Sequence, residues 1–363
     1  MKILLLGEYS NVHATLAEGL RELGHEVTVI SNGDYFKNYP RDIDVSRRGG
    51  KLGGILLMAK LYALLPRLRG YDVVQLINPL FFELKAERLF WFYRYLRKHN
   101  GKVFLGAFGM DYYWVHTCTY DKPLRYSDFN IGDEVRTDAE AVYYQRDWLG
   151  TTKEQLNKYI AQDCDGIIAG LYEYWACYHP AFADKTCFIP YPIKMPDSIN
   201  TERAQKSKVV IFIGINRERS AYKGTDIMLK AAKDVQHKYP YRTKLIVAES
   251  VPFAEYSKMM DGSDAILDQL YAYTPSMNPL LAMSKGIICI GGGEPENYEI
   301  INETELRPII NVEPTYESVY QAVEKLVLNP DNVPELKRQS VEYIRKHHDY
   351  LKVSQQYIDF WRR

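Results

Sequence analysis

Lys2-Ile3-Leu4-Leu5-Leu6-Gly7 and Val209-Val210-Ile211-Phe212-Ile213-Gly214 decide the fold. Each is an unbroken apolar run that ends at a glycine and leads through a polar loop into a helical pattern, residues 12–23 after the first and 225–238 after the second. A strand covered on both faces reads as a continuous apolar run rather than an alternating one. Strand, glycine and helix in that order open a nucleotide-type α/β domain. The opening occurs twice in 363 residues, a length that suits two domains of ordinary size and a substrate cleft between them.

Working outward from the first opening, short apolar runs at 26–30, 72–77, 102–108, 166–169 and 186–189 alternate with helical patterns at 52–68, 86–99, 153–163 and 172–178. Residues 109 to about 150 carry little periodicity and read as a long irregular connection. From the second opening, runs at 244–248, 265–267, 286–290 and 308–312 alternate with helices at 225–238, 252–260, 277–284 and 315–328. Alternation of this kind predicts parallel sheets covered by helices on both faces. Pro190, Pro192, Pro196 and the polar stretch 197–208 separate the halves, giving an N-terminal domain at 1–196 and a C-terminal one at 208–348. Helices at 333–347 and 351–363 follow the last strand and must pack outside the second sheet.

Basic and acidic residues balance at 46 each, so no net charge draws the chain to nucleic acid. Five cysteines, without CxxC or Cys/His spacing, argue against a disulfide framework or a zinc site and for reduced thiols in the cytoplasm. No apolar run approaches the ~20 residues that cross a bilayer. The 30 tyrosines read either as bias and amphipathic surface or as a cleft that stacks sugar rings.

In parallel sheets, ligands bind beyond the carboxyl ends of the strands. The first such loop carries Tyr9, Asn11 and His13, and His13 reads either as a contact to a ligand hydroxyl or as a solvated helix residue. It is not GxGxxG, so the dinucleotide fingerprint is absent. After the 102–108 run, Asp111 and His116 offer a carboxylate and an imidazole for acid/base work or hydroxyl positioning, and Asp111 alternatively caps a helix. Gly214 is followed by Arg217, Arg219 and Lys223-Gly224, cations beside a helix start that suit a diphosphate. Gly291-Gly292-Gly293-Glu294 allows backbone N–H groups to approach phosphate oxygens. Arg47-Arg48-Gly49-Gly50-Lys51 leads an apolar helix that ends near Arg67 and Arg69; this reads as a crossover helix, or as a basic amphipathic surface (47–69) for an anionic membrane.

These residues resemble the GT-B glycosyltransferases, in particular the retaining, nucleotide-sugar-dependent family 4-like (group 1) enzymes. Leu23-Gly24-His25-Glu26-Val27-Thr28-Val29 is similar to that family's second strand. Gly109-Met110-Asp111 is similar to its Gly-Ser/Thr-Asp turn, and Ile189-Pro190-Tyr191-Pro192 to the segment closing its first domain. Arg217 with Lys223-Gly224 resembles its donor-phosphate loop, one residue longer, and Ala282-Met283-Ser284-Lys285-Gly286 with Gly291-Gly292 its EAMACG…GG run. The resemblance implies two Rossmann-like domains facing across a cleft, with a last helix, about 349–363, crossing back to the first domain. It also implies a donor diphosphate held by Gly214, Arg217, Lys223, Gly292 and Gly293. The family's E-x7-E pair falls on Tyr273 and Leu281, neither acidic; Gln269 and Glu294 are the nearby polar groups on the donor side.

The reading that follows is a cytoplasmic hexosyltransferase, at most peripheral on the inner face of the cell membrane. It moves sugar from a UDP or GDP sugar to a glycan or lipid-linked acceptor in polysaccharide biosynthesis. The resemblance implies retention of configuration and no metal or other cofactor. Asp111 and His116 are the expected catalytic groups, and Tyr9, Asn11 and His13 the acceptor side. The missing glutamates motivate the alternative, a non-catalytic glycosyltransferase-like subunit; a GT-B epimerase or phosphorylase is a third reading.

Overall fold

The computed structural model describes residues 1–205, 207–251 and 253–363; Lys206 of the expected linker and Pro252, the expected first residue of a helix, lie outside the described residues. The chain packs as two compact units: residues 1–123, 143–192 and 350–363 form the first, and 124–142 with 193–349 the second. The sequence placed 124–142 in the first domain. Those residues instead pack wholly with the second unit.

In the first unit, β1 (Lys2–Leu6), α1 (Val12–Glu22), β2 (Glu26–Ser31), β3 (Ile43–Asp44), α2 (Gly50–Leu64), β4 (Val73–Leu76), α3 (Ala86–His99) and β5 (Lys102–Ala107) follow in order. Next come α4 (Tyr112–His116), a π-helical turn at Thr117–Asp121, the β6 (Asn130–Ile131) and β7 (Glu134–Val135) hairpin that belongs to the second unit, and α5 (Ala139–Trp148). The unit continues with α6 (Thr152–Asp163), β8 (Gly166–Ala169), α7 (Tyr172–Tyr178) and β9 (Thr186–Phe188). The sheet runs β3-β2-β1-β4-β5-β8-β9 and is parallel throughout. Ile3, Leu4, Leu5 and Leu6 have no exposed surface, as the continuous apolar run requires; burying each such side chain stabilises the fold by about 1.5–3 kcal/mol.

The second unit holds β10 (Val209–Ile215), α8 (Ser220–Lys223), α9 (Thr225–Lys238), β11 (Thr243–Glu249), α10 (Phe253–Met260), β12 (Ala265–Leu267), α11 (Met277–Ser284), β13 (Ile288–Gly291), α12 (Pro295–Glu299), β14 (Ile310–Asn311), α13 (Tyr316–Leu328) and α14 (Val333–His347). Its parallel sheet runs β11-β10-β12-β13-β14. The last helix, α15 (Tyr350–Arg362), returns to the first unit and packs on α1. Gly19 of α1 permits that approach, since a Cβ there would stand 2.3 Å from Ser354 Oγ. Trp361 Nε1 donates to Gln75 Oε1 at 3.4 Å, completing the bonding of a fully buried central-strand amide whose Nε2 donates to the Leu76 carbonyl.

Three expectations change. The region after β5 is ordered into short elements rather than one irregular loop: Asp111 caps α4, whose single turn is too brief to show a period. The run expected at 308–312 pairs as a strand only at Ile310–Asn311. The 47–69 stretch is a helix only from Gly50, and it is apolar on two sides rather than amphipathic: Gly53, Leu57 and Leu61 are buried while Leu52, Ile55 and Leu56 face solvent.

Candidate functional site

In both sheets the strand order reverses beside the first strand, between β1 and β4 and between β10 and β12. The crevice at such a reversal, beyond the carboxyl ends of the strands, is where open α/β sheets bind ligands.

At this edge of the first sheet, Gly7 (φ +83°) turns the chain against β4; a Cβ would lie 2.2 Å from the Ile77 side chain. Asn11, also left-handed at φ 74°, leads into α1 without a side-chain cap. The cap comes from Glu8, whose carboxyl group accepts from Ala14 N at 2.8 Å and His13 N at 3.3 Å. Burial pushes the Glu8 pKa up to about 8, against the pull of those backbone hydrogen bonds.

His13 has no exposed surface, so the solvated reading does not hold. Its Nδ1 lies 2.8 Å from the Gly7 carbonyl, which can only accept, so Nδ1 carries the hydrogen. Burial holds the imidazole neutral, its pKa down to about 3. Nε2 is then a bare acceptor, buried and without a protein partner among the described residues. The Phe108 ring stands edge-on to it with centroids 6.4 Å apart, and the Tyr9 ring lies against Gly109, where a Cβ would be 3.0 Å away.

Asp111 sits at the same edge, but its contacts indicate positioning rather than proton transfer. One oxygen accepts from Trp114 N at 2.9 Å and the other from Tyr178 Oη at 2.7 Å, so the capping alternative is the one observed. Burial raises its pKa to about 7. The imidazole of His116 lies at the other end of α4, beside the rings of Tyr112 and Tyr120 and 4.0 Å from Asp121. Its contacts are thus with groups other than the carboxyl group it was paired with in the sequence.

At the edge of the second sheet, three loops carry the expected donor residues, and segment 124–142 lies across all of them. On the loop after β10, Arg136 donates to the carbonyls of Ala221 and Tyr222 at 3.3 and 3.0 Å, and Arg219 pairs with Glu140 at 2.6 Å. On the loop after β12, the Arg136 guanidinium stacks 3.7 Å above the Tyr271 ring, and Tyr273 Oη accepts from Arg125 N at 2.6 Å. On the loop after β13, Arg125 bridges Glu294 and Glu296, each at 2.6 Å, while Tyr126 Oη and Asn311 also donate to Glu294. Phe129, Ser127 and Asn130 are fully buried, so the segment is a packed part of its unit.

Several expected donor residues have partners of their own. Arg217 turns toward the outer strand and pairs with Glu249 at 2.5 Å, lining an open cleft with Lys230 and Lys233. Gly293 N donates to Asn311 Oδ1 at 2.9 Å, so in this conformation it does not offer the expected N–H to a phosphate. Gly292 is a glycine because a Cβ would stand 2.2 Å from the Ala272 carbonyl, and Gly214 because one would stand 2.3 Å from the Tyr256 ring. Lys223 ends α8, and its carbonyl accepts from Leu270 N at 3.0 Å. Gln269 and Leu281 are half-buried, and Tyr273 is buried beneath Arg125, 4.9 Å from guanidinium carbon to ring centre. Among the described residues, no group of three or more His, Cys, Asp or Glu side chains could hold a metal ion.

Glu8, Arg125, Tyr126 and Arg136 were not singled out from the sequence. Glu8 had no clear signal, because Ser10 and Asn11 stand nearer the helix start and are the residue types that usually cap it. Arg125, Tyr126 and Arg136 had none, because their partners on the loops after β10 and β13 lie 85 to 171 positions away.

Two parallel, doubly wound sheets with a returning C-terminal helix are the elements of the GT-B fold, the class to which solved structures resembling this chain belong. Sucrose-phosphate synthase from Thermosynechococcus elongatus is similar over 100% of this chain and 98% of its own, with a TM-score of 0.65 at 12% identity. HepE from Anabaena, in complex with UDP and glucose, is similar over 99% and 98% with a TM-score of 0.60 at 12% identity. WaaG, a glycosyltransferase involved in lipopolysaccharide biosynthesis, is similar over 99% of both chains with a TM-score of 0.57 at 12% identity. No protein-family model matches the sequence, and no curated protein matches it.

The buried acids fix a pH dependence. Above the ordinary Glu pKa of 4.5, folded Glu8 keeps a proton that the unfolded chain releases, so stability falls as pH rises toward 8. His13 acts oppositely: below 6.5 only the unfolded imidazole binds a proton, so its term raises stability with pH and levels off there. Asp111 reinforces the fall up to about 7. Urea denaturation should therefore show stability dropping from pH 6.5 to 8 by on the order of 1–2 kcal/mol. Glu8→Gln, which keeps an oxygen to cap α1, should remove most of that drop; an unchanged slope would contradict the burial account.

Proposed function

We propose that the chain is a glycosyltransferase that moves a sugar from a nucleoside diphosphate sugar, UDP- or GDP-linked, to a glycan or lipid-linked acceptor in cell-surface polysaccharide synthesis. The observation that carries this reading is the whole-length likeness to glycosyltransferase structures, HepE among them with UDP and glucose bound. The geometry supports it at both sheet edges. The second gathers Arg125, Arg136 and Arg219 with the glycine loop 291–293 beside a strand-order reversal, and the first presents a neutral, fixed imidazole acceptor.

In this reading the donor diphosphate binds over the loops after β10, β12 and β13. Lys223 and helix N-terminal N–H groups stabilise the charge that develops on the leaving group, and Arg217 contributes only by exchanging Glu249 for phosphate. On the first unit, His13 Nε2 accepts a hydrogen bond from a sugar hydroxyl, Tyr9 provides an aromatic wall, and Asp111 positions α4 beside them. Retention of configuration and independence of metal rest on the family resemblance. Titration calorimetry with UDP, GDP and ADP should show one of them binding, and transfer from the matching nucleotide sugar should survive EDTA. Folded protein that binds none of the three would overturn the donor reading, and loss of transfer in EDTA would overturn metal independence.

The same reading places the enzyme peripherally on the inner membrane face, where a lipid-linked acceptor resides. Leu52, Ile55 and Leu56 are 68%, 64% and 49% exposed on α2, flanked by exposed Arg47, Arg48 and Lys51. An apolar strip with a basic border suits an anionic surface. Among the described residues, no helix is long and apolar enough to cross a membrane. Cosedimentation should show binding to vesicles containing phosphatidylglycerol, weak binding to pure phosphatidylcholine, and loss of about tenfold in the L52S/I55S/L56S variant. Equal binding by that variant would remove α2 from the account.

A further inference from the structure

The second unit pairs the expected diphosphate cation elsewhere and brings in another. Arg217 faces the outer strand β11, bound to Glu249, and its side chain is 75% exposed. Arg125 arrives from the segment between β5 and α5 and stands at the glycine loop after β13, over the Tyr273 ring. Its backbone is fixed by the bond from its N–H to Tyr273 Oη, and its neighbour Tyr126 is buried against Glu294.

The charge around it is unbalanced. Glu294 and Glu296 lie together beside the glycines, Glu294 with a side chain only 8% exposed, and both take Arg125 as their ion-pair partner. Without Arg125 this edge would present two carboxylates to any incoming anion. With it, three of the five N–H donors of a guanidinium meet the carboxylates, and the head remains 56% exposed. An arginine held this way can meet a phosphate oxygen with its remaining donors.

We infer that Arg125, carried on segment 124–142 and oriented by Glu294 and Glu296, is the main protein cation for the diphosphate of a nucleoside diphosphate ligand, and that Arg217 is not. The inference rests on the donor reading above and names the residue responsible. It also gives the segment a role: a packed wall that supplies, from a distant part of the sequence, the guanidinium that Arg217, paired with Glu249, does not. Because Glu296 competes with phosphate for the same guanidinium, the two partners have opposite expected effects. Removing Arg125 should weaken an anion, and neutralising Glu296 should strengthen it.

UDP binding by calorimetry tests this on the full chain. Arg125→Ala should lose about tenfold or more in affinity, and Arg125→Lys, which keeps the charge but not the fork, should fall between it and the original. Glu296→Gln should gain about two- to fivefold, and Arg217→Ala should stay within about twofold. Circular dichroism melts establish that each variant is folded; should Arg125→Ala not fold, the Arg125→Lys and Glu296→Gln arms carry the test. Weaker binding in Glu296→Gln, as a purely structural clamp would give, overturns the inference, as does a larger loss in Arg217→Ala than in the Arg125 variants. If the unaltered protein binds UDP and the Arg125 variants bind it equally, the inference fails while the donor reading stands. If the unaltered protein binds no UDP, GDP or ADP, both fail.

Discussion

Burial of the central strands of two parallel sheets is the constraint from which the rest follows. A parallel strand covered by helices on both faces has no solvent-exposed side on which to carry chemistry, so polar function is confined to the strand ends. In the first unit this places Gly7, Glu8, His13 and Asp111 at one edge, with Glu8, His13 and Asp111 losing nearly all contact with water. Desolvation then sets their character: it keeps the imidazole neutral and pushes both carboxyl groups toward the protonated form. A fixed hydrogen-bond acceptor thus results from the packing.

The second edge is organised differently. Its loops hold charged groups that pair with residues of segment 124–142 and with Glu249 of β11, and that segment lies over them as a packed strap. Arg136 is nearly buried, stacked on Tyr271 and bonded to loop carbonyls, so it fixes the loop after β10 rather than serving a ligand. Arg125 is the more exposed of the two and sits between two carboxylates. The positions on which the family resemblance places a glutamate pair hold Tyr273 and Leu281. The strap makes use of the first: Tyr273 accepts a backbone hydrogen bond and supports the Arg125 guanidinium.

The sheets were legible in the sequence because their signal is local. Continuous apolar runs such as 209–213 and glycines at strand ends are readable in a short window, and both openings fold as strand, turn and helix. The return of α15 was legible only through the family resemblance, because position after the last strand does not decide it: α14 also follows that strand, and against expectation it packs on α11 and β13 of the second unit. What escaped was pairing over long separations. That Arg217 would choose Glu249, that Gly293 would spend its N–H on Asn311, or that residues 124–142 would pack with the second half depends on tertiary geometry that composition and period do not encode. The α2 helix misled for a related reason: flanking charges suggested an amphipathic surface, while its apolar residues face both the core and the solvent.

The central claim is that a nucleoside diphosphate binds at the carboxyl edge of the second sheet, in contact with the strap. Amide hydrogen exchange of the full chain with and without UDP addresses that claim most directly, since it reports where the ligand orders the backbone. The account predicts slowed exchange in 214–224, 268–276, 292–297 and the strap around 124–126. Unchanged exchange in those loops under saturating UDP, or protection confined to the first unit, would contradict it.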